Sequence, residues 1–300
     1  MNVIVRKSKI PDSLPDFFIW HGKVEKFLKT LEKTFPNEKI FDLVISSPPY
    51  NIGKEYETVI TQEEYIEWQK HVIKRFLPFV KNTGAICWQV GSHVENNVLT
   101  PLDSLFIPVF QENNLKLRNR IIWHFGHGLH ETKRLSGRYE VLLWYTKTNK
   151  YIFNLDDIRI PQKYPGKRAY KGPKKGEYSG NYRGKNPTDV LVIPNVNSNH
   201  SEKTIHPCQF PIGLVEFCIE AFTNPGATIF DPFMGVGSAG AASALFNRKF
   251  IGCELKKDYI DIAIKRINLA NTNDLKYRPW KKPLYDPKQS QLSKKPSSFK

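Results

Sequence analysis

The chain has 300 residues, of which 40% are hydrophobic and 13% aromatic, and it carries a formal net charge of +16. This composition supports a sizeable buried core and excludes a disordered protein, and no run approaches the roughly 20 apolar residues that a membrane-spanning helix needs. The positive charge favours a polyanionic partner, most commonly nucleic acid, while a basic surface on an ordinary enzyme remains an alternative.

The first clear element is an apolar run at residues 41–45, which predicts a buried strand. It ends at Ser46-Ser47-Pro48-Pro49-Tyr50, because proline cannot continue the hydrogen-bonded ladder of a sheet. Apolar residues then recur at steps of three and four and predict a helix over residues 63–80. The next strand is predicted at residues 84–90.

Further strands are predicted at residues 120–124 and 140–145, with histidines between them at every third position. These histidines are His124, His127 and His130. They lie among glycines and no carboxylate pattern joins them, so we expect a mobile loop near the substrate and no metal. The alternation of strands and helices predicts an α/β fold, with a doubly wound, mainly parallel sheet covered on both faces.

Residues 161–200 break this alternation and are rich in glycine, proline, tyrosine and basic residues. The basic residues expected to contact DNA are Lys167, Arg168, Lys171, Lys174, Lys175 and Arg183. Aromatic rings among positive charges suit base stacking beside phosphate neutralisation. We therefore predict a DNA-recognition insertion, with a disordered insertion as the alternative. Residues 276–300 are expected to form a basic, flexible tail.

A second motif follows the helix predicted at residues 212–222 and the strand predicted at 227–230. It reads Asp231-Pro232-Phe233-Met234-Gly235-Val236-Gly237, and Glu254 follows about 20 residues later, at the end of another predicted strand. Glycines at this spacing let the backbone turn sharply and approach a ligand. A carboxylate at that distance can accept hydrogen bonds from the ribose hydroxyls. A dinucleotide site uses similar glycines, but Asp231 would repel a pyrophosphate and would suit a cationic ligand.

With the Ser-Pro-Pro-Tyr motif before the Asp-Pro-Phe loop, the chain resembles the β class of S-adenosylmethionine-dependent DNA amino-methyltransferases over most of residues 40–270. The resemblance implies a Rossmann-like class I methyltransferase fold with permuted motif order. Residues 1–160 and 201–275 would form the catalytic domain, and residues 161–200 would be inserted in it. The residues expected to bind S-adenosylmethionine are Lys203, His206, Asp231, Pro232, Phe233, Gly235, Gly237 and Glu254. Residues 19–23 depart from the family's usual Gly-Asp, so no cofactor contact is predicted there.

The resemblance makes Ser47, Pro48, Pro49 and Tyr50 the catalytic residues. An exocyclic amine of cytosine or adenine is a poor nucleophile, because its lone pair is delocalised into the ring. The Pro48 carbonyl and the Ser47 hydroxyl can accept its two N–H groups, and Tyr50 can stack on a flipped base. Serine at the first position is associated in this family with N4-cytosine methylation, so cytosine is favoured and N6-adenine is the alternative.

The resemblance also implies double-stranded DNA as the substrate and a restriction endonuclease that acts on the same site without a stable complex. It leaves a homodimer open and favours a cytoplasmic protein of a prokaryote or phage, without membrane attachment. The four cysteines are expected to be reduced core thiols, and Pro207-Cys208 is not expected to act as a C5-cytosine nucleophile. A DNA-binding protein on a degenerate methyltransferase fold is the remaining alternative.

Overall fold

A single large sheet organises the protein, whose computed structural model describes residues 2–51, 60–128 and 130–284. The strands in these residues are β1 Val3–Arg6, β2 Phe17–His21, β3 Phe41–Ser46, β4 Val80–Val90, β5 Ser92–Glu95, β6 Val98–Pro101, β7 Lys116–His124, β8 Tyr139–Thr146, β9 Val190–Val192, β10 Thr228–Asp231 and β11 Lys249–Glu254. The α-helices are α1 Val24–Thr34, α2 Gln62–Phe76, α3 Leu102–Glu112, α4 Ile212–Phe222, α5 Ser238–Leu245 and α6 Lys257–Asn271.

Nine strands form the main sheet in the order β1-β2-β11-β10-β3-β4-β8-β7-β9, and β5 pairs with β6 in a separate hairpin. Among the described strands of this sheet, only β8 runs antiparallel to its neighbours. From β3 the chain crosses through α2 to β4 on one side, whereas from β10 it crosses through α5 to β11 on the other. The adjacent strands β3 and β10 therefore flank the switch point, where a crevice opens at the carboxyl ends of the strands.

Helices cover both faces of the sheet. On one face α1, α2 and α3 contribute Phe27, Phe76 and Phe106 to an apolar core. On the other face α4, α5 and α6 pack over a second core that includes Ile219 and Ile267. The predicted doubly wound α/β fold is confirmed. No helix in the described parts of the chain is long and apolar enough to cross a membrane.

The predicted insertion rejoins the sheet before residue 200. Val190–Val192 form β9, which pairs in parallel with β7 and forms the edge of the sheet, and Leu191 and Ile193 are buried in the core. Trp123 supports this junction by donating from Nε1 to the Ile193 carbonyl at 2.8 Å. A short apolar run inside a basic segment thus belongs to the sheet, which the composition of residues 161–200 did not indicate.

The tail predicted to be flexible from residue 276 is docked on α4 in its described part, which ends at residue 284. Trp280 is only 9% exposed, and its ring lies 5.1 Å from that of Phe217 in an edge contact. Its backbone N–H donates to Glu216 at 3.0 Å and its indole N–H to Glu220 at 2.9 Å. One large aromatic side chain with two carboxylate acceptors therefore fixes residues 276–284, which form a strap across α4. Residues 285–300 lie outside the described residues.

Candidate active site

The two sequence motifs meet at the carboxyl ends of β3 and β10. Ser46 and Asp231, the last residues of these strands, are both fully buried, and the Ser46 hydroxyl donates to Asp231 Oδ1 at 2.6 Å. The same carboxylate oxygen accepts the backbone N–H of Phe233 at 3.1 Å. One buried carboxylate thus joins the tetrad Ser47–Tyr50 to the loop of residues 231–237.

A cavity of about 690 Å³ opens between the two motifs. All four tetrad residues line it, and so do Pro232, Phe233, Gly235 and Glu254 from the predicted cofactor site. Asp231 is not part of the wall but lies buried beneath the loop. The structure therefore brings together two sets of residues that are almost 200 positions apart in the chain.

Hydrogen bonds to neighbouring elements of the fold hold the tetrad in place. The Tyr65 hydroxyl donates to the Pro49 carbonyl at 2.7 Å, and the Ser47 hydroxyl donates to Tyr50 Oη at 3.2 Å. Tyr50 in turn donates to Gln89 Oε1 at 2.9 Å, and Gln89 Nε2 donates to Glu140 Oε2. The tetrad is thereby anchored to α2, β4 and β8, so its geometry does not depend on the loop alone.

Burial dominates the electrostatics of this network. It raises the pKa of Glu140 to about 7 and that of Asp231 to about 7, although hydrogen bonds to each carboxylate oppose the shift. Burial, together with the charge of Glu140, also raises the pKa of Tyr50 well above its usual value. Tyr50 therefore keeps its hydroxyl proton and acts as a neutral donor.

The glycine loop has the backbone shape that the sequence indicated. Gly235 and Gly237 have φ values of 50° and 74°, the left-handed region that favours glycine. A Cβ on Gly237 would lie 2.7 Å from the Cβ of Ala263, so α6 packs directly against this turn. The buried Arg266 of α6 also donates to the Val236 carbonyl at 2.7 Å. The loop therefore exposes one side to the cavity and packs its other side against α6.

His206 lines the cavity beside Gly235, whereas Lys203 does not. The Lys203 ammonium donates to the His206 carbonyl at 2.8 Å and thereby supports the segment that carries His206. Burial, assisted by the neighbouring cations Lys203, Lys256 and Arg266, lowers the pKa of His206 to about 4. Its Nδ1 accepts the backbone N–H of Cys208 at 3.1 Å, so the neutral ring carries its hydrogen on Nε2.

Several residues that line the cavity were not predicted from the sequence. Lys23 and Glu25 line the cavity at the start of α1, although no contact was predicted near residues 19–23. Glu25 Oε1 accepts the indole N–H of Trp68 at 2.6 Å, and the Trp68 ring lies 5.5 Å from that of Phe233. The signal that could have identified them is the position of α1, which directly follows β2, the strand that pairs in parallel with β11.

Cys208 also differs from the prediction. It is exposed and lines the cavity, whereas the other three cysteines are buried, as expected of core thiols. Three residues, the last of them Pro211, separate Cys208 from the start of α4 at Ile212. Of the three histidines at every third position, His124 is the last residue of β7, and His127 and His130 follow it. Within residues 2–51, 60–128 and 130–284 no group of three or more His, Cys, Asp or Glu side chains could hold a metal ion.

The cavity fits S-adenosylmethionine. Glu254 Oε1 accepts the backbone N–H groups of Leu255 and Lys256 at 2.8 Å each, which orients a carboxylate on the wall as ribose recognition requires. Asp231 Oδ2 is buried and has no hydrogen-bond partner among the described residues. When ionised, this carboxylate can attract a cationic ligand from beneath the loop. Phe233, Trp68 and Tyr259 supply aromatic surface around the cavity.

The basic segment is highly exposed. Tyr170 and Tyr182 are each 90% exposed, and the guanidinium of Arg168 lies 4.2 Å from the ring centre of Tyr178. Arg183 forms an ion pair with Asp156 at 2.9 Å, so part of its charge is neutralised. The other predicted DNA contacts, Lys167, Lys171, Lys174 and Lys175, are also exposed.

The fold resembles that of the PvuII DNA methyltransferase (cytosine-N4-specific), with a TM-score of 0.66, 20% identity and coverage of 91% of this chain and 98% of that one. The fold is that of the class I methyltransferases, as the sequence predicted. The type II methyltransferase M.BglII of Bacillus subtilis is 40% identical over 93% of this chain and 81% of its own length. The DNA adenine methyltransferase YhdJ of Escherichia coli (strain K12) is 30% identical over 80% of each chain.

The sequence pattern of the N6/N4 methyltransferase family, described as DNA methylase, matches residues 41–265. The chain belongs to this family of DNA amino-methyltransferases, which confirms the predicted resemblance.

Proposed function

We propose that this protein transfers a methyl group from S-adenosylmethionine to the N4 amine of cytosine in a specific sequence of duplex DNA. The observation that carries the proposal is the state of Ser47. Its hydroxyl hydrogen is donated to Tyr50, so its oxygen lone pairs remain as acceptors at the cavity wall. A hydroxyl acceptor at the first tetrad position is the feature associated with cytosine in this family.

In the proposed reaction the chain acts mainly by positioning. Ser47 Oγ and the Pro48 carbonyl accept the two N–H groups of the amine, which directs the nitrogen lone pair towards the methyl group. Tyr50 presents its ring to the flipped base, which must leave the duplex to reach the cavity. Bound S-adenosylmethionine supplies a methyl group that is already activated by its sulfonium. As the nitrogen–carbon bond forms, the sulfur–carbon bond breaks, and the methylated amine then loses one proton to water.

We further propose that Pro232, Phe233, Gly235, His206 and Glu254 surround the cofactor, with Asp231 acting from beneath the loop. Gly237 does not line the cavity and contributes the turn of the backbone. Neutral His206 would offer Nε2–H as a donor to the carboxylate of the methionine moiety. Its lowered pKa supports this role, because the ring stays uncharged at neutral pH. Lys203 would contribute indirectly, through the His206 carbonyl.

For DNA we propose the exposed segment at residues 163–185. Its lysines and Arg168 are free of carboxylate ion pairs among the described residues, which leaves them available to phosphates. Its exposed tyrosines would supply stacking surface. The enzyme would act as the modification partner of a restriction endonuclease that reads the same site, and a homodimer stays a hypothesis.

The test is methylation of unmodified genomic DNA with methyl-labelled cofactor, followed by nuclease digestion and mass spectrometry of the nucleosides. We expect labelled N4-methylcytosine, and loss of most turnover in Ser47→Ala with cofactor affinity retained. Labelled N6-methyladenine would instead support the second candidate, which the 30% identity to an adenine methyltransferase favours. Unchanged turnover in Ser47→Ala would contradict the role of the hydroxyl.

A further inference from the structure

We propose that Glu140 is a positioning residue for methyl transfer, because its carboxylate sets the direction of the hydrogen bonds that run through Gln89 and Tyr50 to Ser47. The inference rests on the proposed function and extends it to a residue that the sequence motifs do not contain. Glu140 does not line the cavity, so it acts through Tyr50 and not on the substrate.

The sheet brings these groups together. Gln89 lies near the end of β4 and is 2% exposed, while Glu140 is the second residue of the antiparallel neighbour β8. Gly91 follows β4 and leaves the space that the contact needs. A Cβ at position 91 would lie 3.0 Å from Glu140 Oε1 and 3.2 Å from Tyr50 Cε2.

The polarity of the network follows from the carboxylate. An ionised Glu140 can only accept, so the Gln89 amide must turn its NH₂ group towards Oε2 and its oxygen towards Tyr50. Tyr50 Oη then faces two acceptors, Gln89 Oε1 at 2.9 Å and Glu140 Oε2 at 3.4 Å. Its single hydrogen must point to them, and its lone pairs accept the hydroxyl of Ser47 at 3.2 Å.

This polarity keeps Ser47 in the state that the reaction needs, with lone pairs available to the amine. Protonation of Glu140 would let its oxygen donate, so that Tyr50 could accept there and donate to Ser47 instead. The Ser47 hydrogen would then be released towards the cavity, where it opposes the N–H groups of the substrate. The active state therefore requires the ionised carboxylate.

The surroundings of Glu140 make this switch accessible near neutral pH. Its pKa is raised by burial, and hydrogen bonds from Gln89 and Tyr50 act in the opposite direction. Gln89 on β4 does not titrate. On β7 the register partner of Glu140 is Trp123. The ionisable groups nearest in register are His124, which lies opposite Tyr139, and Arg138, which directly precedes β8. Cys208 lies near the tetrad and acts electrostatically on Tyr50.

The experiment compares wild type with Glu140→Gln and with Glu38→Gln, an exposed glutamate in the connection between α1 and β3, as a matched control. Single-turnover methylation is measured from pH 5.5 to 9 at saturating cofactor and DNA, and the dissociation constants of both ligands are measured separately. For Glu140→Gln we expect a rate lower by about 10- to 100-fold, because an amide leaves the orientation of Gln89 unfixed. Ligand affinities should change less than about twofold, because Glu140 contacts neither ligand.

The pH profile gives the readout that a purely structural role would not change. The wild-type rate should fall as the pH drops below about 7, where Glu140 gains its proton. This step should be absent in Glu140→Gln and also in Tyr50→Phe, which keeps Glu140 but cuts its connection to Ser47. Glu140→Asp, which retains a carboxylate, should recover part of the rate and the pH step.

Two results would overturn the inference. One is a wild-type rate and pH step in Glu140→Gln, and the other is persistence of the step in Tyr50→Phe, a variant that remains informative even if Glu140→Gln does not fold. Failure of wild type to methylate any DNA, with cofactor still bound, would overturn the proposed function instead.

Discussion

Ser46 offers a direct test of how the two motifs are joined. It precedes the catalytic tetrad, is fully buried and donates to Asp231 Oδ1 at 2.6 Å. Ser46→Ala removes this donor and changes the packing by one oxygen atom only. Asp231 then keeps the Phe233 N–H as its single remaining hydrogen-bond donor among the described residues.

The expected loss follows from the acceptor. A buried hydrogen bond to a charged group contributes about 1.5–3 kcal/mol, and its removal leaves part of the carboxylate desolvated without compensation. Since the pKa of Asp231 is already about 7, the loss of a donor should raise it further. We therefore expect Ser46→Ala to lower the free energy of unfolding by about 1.5–3 kcal/mol at pH 8, where the carboxylate is ionised.

Urea denaturation followed by tryptophan fluorescence measures this difference. Ser243→Ala is the matched control, because Ser243 is equally buried but donates to the Ala239 carbonyl of its own helix at 2.8 Å. That carbonyl also accepts a helical N–H, so the control should change stability by less than about 0.5 kcal/mol. Equal losses in both variants would refute the assignment of a special role to the Ser46–Asp231 bond. Ser46→Ala should also weaken cofactor binding, which calorimetry would detect.

Three other predictions address the loop, the strap and the basic segment. Gly237→Ala should lose about 2–4 kcal/mol in stability, because φ is 74° and its Cβ would meet Ala263. Gly226→Ala, with φ 78° but open space, should lose only about 1–2 kcal/mol in the same urea denaturation assay. Burial raises the pKa of Glu216 to about 7, so its folded state binds a proton more tightly than its unfolded state. Between pH 5 and 8 wild type should therefore lose about 1–3 kcal/mol relative to Glu216→Gln, and parallel stability curves would contradict this. Lys171→Ala should reduce the slope of log Kd for DNA against log salt concentration by about 1, while Lys29→Ala on α1 should leave the slope unchanged.

The parts of the fold that could be predicted from the sequence are those with strong local signals. The strand at residues 41–45 is apolar and is stopped by two prolines, and the strand at 227–230 leads into a glycine turn. Both occur in the structure as β3 and β10, each extended by one residue to the buried polar side chain that follows. Parallel strands that end in polar loops at a switch point must place those loops together, so the sequence alone predicts where the site lies.

Glu140 could not be assigned in this way, because its role depends on pairing across the sheet. In the sequence it is one polar residue near the start of an apolar strand, 90 positions after Tyr50. Only the antiparallel pairing of β8 with β4 brings its carboxylate to the tetrad. The strap at residues 276–284 was missed for a related reason, since a single tryptophan among lysines and prolines decides whether the segment docks.

The adjacency of β3 and β10 has a consequence for the order in which the protein becomes active. Residues 46 and 231 are separated by 185 positions, and the strands that carry them pair through only two register positions, Leu43 with Ile229 and Val44 with Phe230. Contacts of such large sequence separation form late, because the closure of the intervening chain has to come first. During synthesis the catalytic tetrad therefore leaves the ribosome long before the strand that completes its cavity. Methyl transfer must wait until nearly the whole chain has folded, so a partly made protein carries the tetrad but has no working site.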